Sequence, residues 1–344
     1  MSATEFAFVA SRALSSMLEE AMSEAVLAVN FAGPHVAIQD AGRQGFMRFG
    51  VPASGPMDRL SYAAANTALG NSGNQPAIEI SLGGLVVDCV SGQVTFAVAG
   101  GGFIIEHAGR KMGSWTVETL RAGERLAIRP GYWGSWTYLA FAGQLVANRW
   151  LNSAATHALS GFGGGRLVQG QHLTVTDARF HEDRVGAIPC PIFARPRPEV
   201  NVVLGPQDRF FSRETVEAFL AAPFRLTDAY DRMGVRLQGA ALTPIASLDM
   251  PSEPIVRGSV QVAGDGVPTV LLADHQTTGG YPKIATVVDP DLDAFGQHRP
   301  RDLIGFRAVT PAQAIEHARL RAANTARYLA AMARPATGRC SQPK

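Results

Sequence analysis

From Val26 onward the chain is a succession of short apolar runs, each cut off within a few residues by glycine or proline. That punctuation leaves little room for long helices and favours strands joined by tight turns. The runs at 25–31, 36–39, 77–80, 85–89, 94–99, 103–107, 125–128 and 137–142 are rich in Val, Ile, Phe and Leu, residues that suit a pleated, half-buried surface. The pattern restarts at 200–204, 224–226, 235–238, 256–262, 269–272 and 284–288. Between the two sets, 185–198 holds four prolines, poor material for a helix or a central strand and good material for a semi-rigid connector. The chain therefore reads as mainly β with some α. Units at 26–184 and 199–309, each antiparallel and barrel-like or sandwich-like, are joined by the 185–198 linker, and 344 residues suits two such domains.

Few helices interrupt. Asp58 or Ser61 can cap one over 62–69, which ends at Gly70-Asn71, and Ser212 can cap another near 212–221. Thr310-Pro311 opens a third over 310–333 with a cap followed by proline at the first helical position, leaving a tail at 335–344. Residues 1–25 form an extension whose Phe6, Val9, Leu14, Met17, Leu18 and Met22 have roughly helical spacing. Glu5, Glu19, Glu20 and Glu24 against Arg12 fit neither a secretory signal nor a transit peptide. No apolar run is long enough for a membrane helix, and a net charge of +2 argues against a nucleic-acid grip. Cys89, Cys190 and Cys340 are far apart, as expected of reduced thiols in a cytoplasmic protein.

Polar residues concentrate in four places. The first is Gln39-Asp40-Ala41-Gly42-Arg43-Gln44-Gly45 followed by Gly50 to Asp58, where close glycines let backbone amides face an anion. Asp40 and Arg43 can pair there or bind substrate, although the same residues also build turns. Asn66, a poor helix former in mid-helix, and Glu79 continue the series. The second is Gly205-Pro206-Gln207-Asp208. The third is Asp231-Arg232-Met233-Gly234, either a structural ion pair or an anion-recognition element.

The fourth, at 273–283, is the densest. A strand ends, Asp274-His275-Gln276-Thr277-Thr278-Gly279-Gly280-Tyr281-Pro282-Lys283 follows without a break, and a strand resumes. Loops are normally loosely specified, so one this rich in donors, acceptors and turn formers reads as a site. The chain has three lysines, Lys111, Lys283 and Lys344, among 31 basic residues. A lysine placed here points to a need for a compact ammonium. Asp274 is a candidate base or base-orienting group, and His275 a group that titrates near neutrality. Familiar cofactor signatures are missing: there is no GxxxxGK[ST] loop, Gly100-Gly101-Gly102 lacks dinucleotide spacing, and eight histidines show no metal-ligand spacing.

Gln39-Asp40-x-Gly42-Arg43-x-Gly45, Gly50-Val51-Pro52-x-Ser54-Gly55-x-Met57-Asp58, Asn66, Gly205-Pro206-Gln207-Asp208, Asp231-Arg232-Met233-Gly234 and Asp274-x-Gln276-Thr277-Thr278-Gly279-Gly280-Tyr281-Pro282-Lys283 occur in one order over about 26–308. Together they resemble the biotin-dependent carboxyltransferase family, which includes the 5-oxoprolinase C subunit, the Kip-type antagonist and allophanate hydrolase subunit 2. The resemblance implies two cyclophilin-like β-barrel domains. It also implies one component of an ATP-dependent enzyme that opens 5-oxoproline to glutamate with a Kip-inhibitor-like B subunit and a third 5-oxoprolinase subunit. Its alternatives are a carboxyltransferase component acting on urea or a urea-like amide, and a regulatory module that antagonises a Kip-type inhibitor. Lys111-Met112 lacks a biotinylation context, so biotin would arrive on a partner chain. Under this resemblance Lys283, Asp274 and Asp40 are the catalytic candidates. Arg43, Gln39, Asp58, Asn66, Gln207, Asp231, Arg232, Gln276, Thr277, Thr278, Gly279, Gly280 and Tyr281 are the substrate-binding candidates. The chain departs from the family pattern at His275, usually arginine, at Tyr230, usually serine, and at Pro254 and Arg257.

Overall fold

The computed structural model describes residues 24–245 and 250–334. The extension at 1–25 lies, but for its last two residues, outside them, as do the 335–344 tail and Cys340.

The first half is a sandwich of two antiparallel sheets. The larger runs Gln144–Leu145, His172–Thr176, Ala25–Ala32, Leu85–Ser91, Arg125–Arg129, Ile104–His107 and Arg110–Gly113 in spatial order. The smaller runs Gly186–Ala187, Thr116–Arg121, Gln93–Ala99, Trp136–Phe141, Ala77–Ser81 and Ala37–Gln39. The two-residue period of a strand sorts side chains between two cores. Phe96, Val98, Leu139 and Phe141 face the larger sheet, where they meet Leu27, Val87 and Ile105. The alternate residues Ala97, Ala99, Tyr138 and Ala140 face the other way, against helix α1 (Arg59–Ala68). The small side chains let the helix approach closely, and Met332 of the last helix joins the same cluster.

Neither sheet closes on itself, so the barrel expected over 26–184 is instead a sandwich. A barrel has one interior, whereas the six-stranded sheet is buried on both faces. The Pro-rich stretch is fastened to this half. Its Gly186–Ala187 pairs with Val117 and Thr116, the Ile188 amide donates to the Trp115 carbonyl at 2.7 Å, and Ile188 and Ala194 are buried.

The second half is a closed barrel in the order Glu199–Leu204, Lys283–Val287, Ser259–Val262, Pro268–Leu271, Gly234–Gln238, Phe224–Tyr230 and Leu303–Ala308. It closes by parallel pairing of its first and last strands. Helix α2 (Arg213–Ala221) packs Phe219 onto Phe306, ring centroids 4.6 Å apart. Helix α3 (Asp289–Gly296) and the long helix α4 (Pro311–Met332) complete the fold. Asp58 caps α1, accepting from the Ser61 amide, and Ser212 caps α2. Thr310 and Gln313 form a full capping box on α4. The strands Thr116–Arg121, His172–Thr176 and Leu303–Ala308 and helix α3 were not evident from apolar runs, because their sequences mix polar or charged with apolar residues.

The halves are locked together. Arg59 of α1 donates to Asp293 of α3 at 2.8 Å, and Arg257 donates to the Met57 carbonyl at 2.6 Å. Gln297, directly after α3, donates to Asp58 at 2.7 Å while its oxygen accepts from the Ser135 and Trp136 amides. Met57 and Trp136 are built into the barrel's own hydrophobic cluster.

Candidate functional site

The polar segments converge where the sandwich meets the barrel mouth. At the centre is Arg232, buried and bidentate to Asp274, Nε to Oδ2 at 3.0 Å and Nη2 to Oδ1 at 2.9 Å. Its Nη1 donates to Glu79 Oε1, and Nη2 also reaches the Gly55 carbonyl at 2.7 Å. Glu79 Oε2 accepts from the Met57 amide at 2.8 Å and from the Tyr138 hydroxyl at 2.7 Å. A cation this deep is retained because two carboxylates and a carbonyl replace its water. Asp274 in turn accepts from the Ala158 amide at 3.0 Å. Although burial opposes ionisation, Arg232 and these hydrogen bonds hold the Asp274 carboxyl below the usual carboxylate range. Its oxygens are committed, so it orients its neighbours and does not stand free as the expected base.

Asp40 is committed in the same way. Oδ1 accepts from the Gly42 amide and from the Ser153 hydroxyl at 2.6 Å, and Oδ2 from the Ala154 amide. Arg43, also buried, donates to the Ala155 carbonyl at 2.5 Å and stacks on Trp150, 4.7 Å from the ring centroid. Its Nη1 and the Gln39 Oε1 are buried with no hydrogen-bond partner among the described residues. Burial lowers the pKa of the Arg43 guanidinium.

Lys283 begins a barrel strand, and its side chain is 2 % exposed. Nζ has no hydrogen-bond partner among the described residues and lies 3.5 Å from Glu253 Oε2. Gln207 fastens the strand: its Oε1 accepts from the Lys283 amide at 3.1 Å while its Nε2 donates to Glu253 at 2.7 Å. Gln276 Nε2 reaches Gln261 Oε1 at 3.3 Å. Thr278 and Gly279 pair with Pro254 and Glu253 in a two-stranded ribbon, and Thr277 offers its carbonyl to the Ile255 amide. Beside these groups opens a cleft of about 510 Å³, lined by His35, Asp231, Met233, Gln261, Gln276 and Tyr281 among others. A cleft of about 670 Å³ around Arg225, Gln238 and Arg301 holds none of the predicted site residues.

Other predicted residues take structural posts. Asp58 caps α1 and accepts from Ser61 and Gln297. Burial and Asp293 push its carboxyl up to about 6. Asn66 holds the turn after α1, donating to the Gln75 carbonyl and accepting from Asn71. Asp231 braces its own turn through the Met233 amide at 2.7 Å. His275 is 5 % exposed with Nδ1 2.6 Å from the Gln276 carbonyl, and burial lowers its pKa. Gly280 flanks the loop near the Met250 carbonyl. The Tyr230 hydroxyl accepts from Trp136 Nε1 of the sandwich at 3.3 Å and donates to the Gly296 carbonyl, and Arg257 crosses to the sandwich, so both departures from the family pattern work at the domain junction.

Sequence reasoning missed Gln261, Glu253, Gln297 and Tyr138 as parts of this assembly. Glu79, already part of the polar series in the sequence, stood out as a charge inside the apolar run 77–80. No comparable signal marked Gln261 or Glu253.

The profile of the carboxyltransferase domain, subdomain A and B, matches residues 49–308. This chain belongs to that family. The carboxyltransferase-domain chain is 36 % identical over 276 residues to the 5-oxoprolinase C subunit of Haemophilus influenzae, covering 79 % of this chain and 88 % of that protein. The corresponding Escherichia coli protein is 32 % identical, covering 76 % and 84 %. The crystal structure of TTHA0988 superposes with a TM-score of 0.73 at 32 % identity over 82 % of this chain, which spans 55 % of that longer chain. The Kluyveromyces lactis urea amidolyase shares the fold, with a TM-score of 0.77 at 24 % identity over 88 % of this chain and 20 % of that protein.

Proposed function

We propose that this chain is the C subunit of an ATP-dependent 5-oxoprolinase, opening the lactam of 5-oxoproline with water to give glutamate, with a Kip-inhibitor-like partner and a third subunit. The observation that carries the reading is the buried, hydrogen-bond-free Lys283 ammonium, opposite Gln261 of the cleft wall on the paired strand, in a chain whose relatives bear that enzyme's name. Opening a lactam needs a polarised carbonyl, a held anion and a proton acceptor. Lys283 supplies the first or the second. The unpartnered Nη1 of Arg43 offers a further donor, and the backbone of 277–280 further contacts. Asp274, Asp40, Arg232 and Gln207 hold these groups in place. Asp231, Gln276 and Tyr281 line the cleft that admits the amide. Glu253, whose Oε2 lies 3.5 Å from Lys283, is the proton acceptor nearest the ammonium.

The Gly100-Gly101-Gly102 turn does not fit an ATP cradle. It is glycine-rich for packing: a Cβ on Gly102 would lie 2.4 Å from the Trp133 ring, and one on Gly101 would lie 2.7 Å from Phe103. No step is assigned to ATP on this chain. Lys111 lies on the surface against Glu106 at 3.0 Å. Because Lys111-Met112 lacks a biotinylation context, a biotin would come on a partner chain.

The test is Lys283→Met in the reconstituted complex. Turnover of 5-oxoproline should vanish while the fold stays intact, and activity like that of the unaltered complex would refute the assignment. A second reading follows from 28 % identity to yeast urea amidolyase over 81 % of this chain, which spans 16 % of that protein. It is carboxyl transfer from a biotin carrier to a urea-like amide, revealed by turnover that depends on an added biotinylated carrier. A pure antagonist of a Kip-type inhibitor would instead keep partner binding and lose nothing with Lys283→Met.

A further inference from the structure

The geometry points to a two-donor carboxylate subsite made by Lys283 and Gln261, of which Gln261 decides between acidic and neutral substrates. This deepens the 5-oxoprolinase reading and rests on it for the identity of the acid.

The strands Ser259–Val262 and Lys283–Val287 pair in register, Val260 opposite Ala285, until a bulge skips Ile284 and sets Gln261 opposite Lys283. Directly opposed residues on antiparallel strands present their side chains on one face, and a bulge beside a site re-aims a side chain. Both side chains are more than nine-tenths buried, Gln261 at 6 % and Lys283 at 2 %. Both end in nitrogens with no hydrogen-bond partner among the described residues: Gln261 Nε2 and Lys283 Nζ. The Gln261 oxygen already accepts from Gln276, which fixes the amide with its NH2 presented.

Two adjacent, buried, unused donors call for an acceptor, and one of them is a cation. Glu253 only partly neutralises it, at 3.5 Å and already holding Gln207. A buried polar group left unpaired is costly, so the pair is incomplete without an anionic oxygen. Space for one is kept by Gly279, where a Cβ would lie 2.7 Å from Gln261 Nε2. Gln261 and Gln276 both line the cleft, which gives the route in. A carboxylate satisfies both donors at once. A neutral urea-type carbonyl leaves the ammonium uncompensated.

The experiment uses the full chain labelled with 15Nζ-lysine, whose three lysines give a simple spectrum, and Lys283→Met identifies the buried signal. Adding 5-oxoproline should shift the Lys283 signal, whereas 2-pyrrolidinone, the same lactam without the carboxylate, should leave it in place. In the reconstituted complex Gln261→Leu should raise KM for 5-oxoproline about tenfold with kcat nearly unchanged, the loss expected for one hydrogen bond to a charged group. Equal shifts with both lactams, no shift with any carboxylate tried, or an unchanged KM in Gln261→Leu would overturn the subsite. If acetate or glutarate shifts the signal and 5-oxoproline does not, the subsite stands and the 5-oxoprolinase reading falls.

Discussion

Arg232 of the barrel and Glu79 of the six-stranded sheet form an ion pair that excludes water and joins the two halves of the chain at the site itself. Because Arg232 is also bidentate to Asp274, the chain segment carrying Lys283 is referenced to the sandwich through one guanidinium.

Arg232→Met leaves Glu79 and Asp274 as uncompensated buried charges. Breaking a buried pair from one side costs about 3–5 kcal/mol, so the urea midpoint should fall steeply. Arg232→Lys should recover only part of this, since an ammonium lacks the fork that reaches Asp274 twice. Equilibrium unfolding checks both.

Lys283→Met should behave oppositely. It removes an incompletely paired buried ammonium, so the melting temperature should hold or rise while turnover by the complex is lost. A melting scan beside an activity assay separates this outcome from simple unfolding.

Asp58 gives a pH signature. Its folded pKa is about 6 against 3.8 as the ordinary value, raised by burial, so the native state favours the protonated form. The associated stability is fully present below about pH 4 and is lost as pH rises through about 6. It is worth on the order of 2–3 kcal/mol from the unit-to-energy conversion. Asp58→Asn should flatten the stability profile over that interval, measured by urea unfolding at several pH values.

Asp40→Ala should loosen the 153–154 segment by removing acceptors for Ser153 Oγ and the Ala154 amide. Unsatisfied buried donors cost about 1–3 kcal/mol, and amide exchange at Ala154 should accelerate. An unchanged exchange rate would show that Asp40 is not the anchor.

Gly279→Ala should displace the Gln261 amide, since the added Cβ meets Nε2 at 2.7 Å. The expected result is a higher KM for 5-oxoproline with little change in melting temperature.

Much of the β architecture was legible because Val- and Leu-containing runs at 85–91 or 199–204 carry their own signal. The caps at Asp58, Ser212 and Thr310 were legible because a short polar side chain before a helical run has few other uses. The apolar runs left the first half barrel-like or sandwich-like, because they report that a strand is buried and leave open whether its sheet closes; the barrel came from the resemblance. The site was legible as a set of polar segments, with Asp40–Arg43 and Asp231–Arg232 as candidates to converge on the 273–283 loop, and the contacts by which they meet were not. Gln261 faces Lys283 only through a bulge, and a one-residue slip in register has no trace in composition. Asp274 and Asp40 were read as chemistry because a sequence shows the carboxylate and hides the amides that occupy it.

The ribbon that pairs Glu253 with Gly279 and Pro254 with Thr278 has a consequence for rates. A glycine-rich loop left to itself samples many conformations, and a ligand that must order it loses affinity for each residue it freezes. Here the ribbon settles that ordering while the chain folds. Capture of substrate then resembles entry into a preset mould, with association set by access to the cleft and selectivity expressed in how long each acid stays.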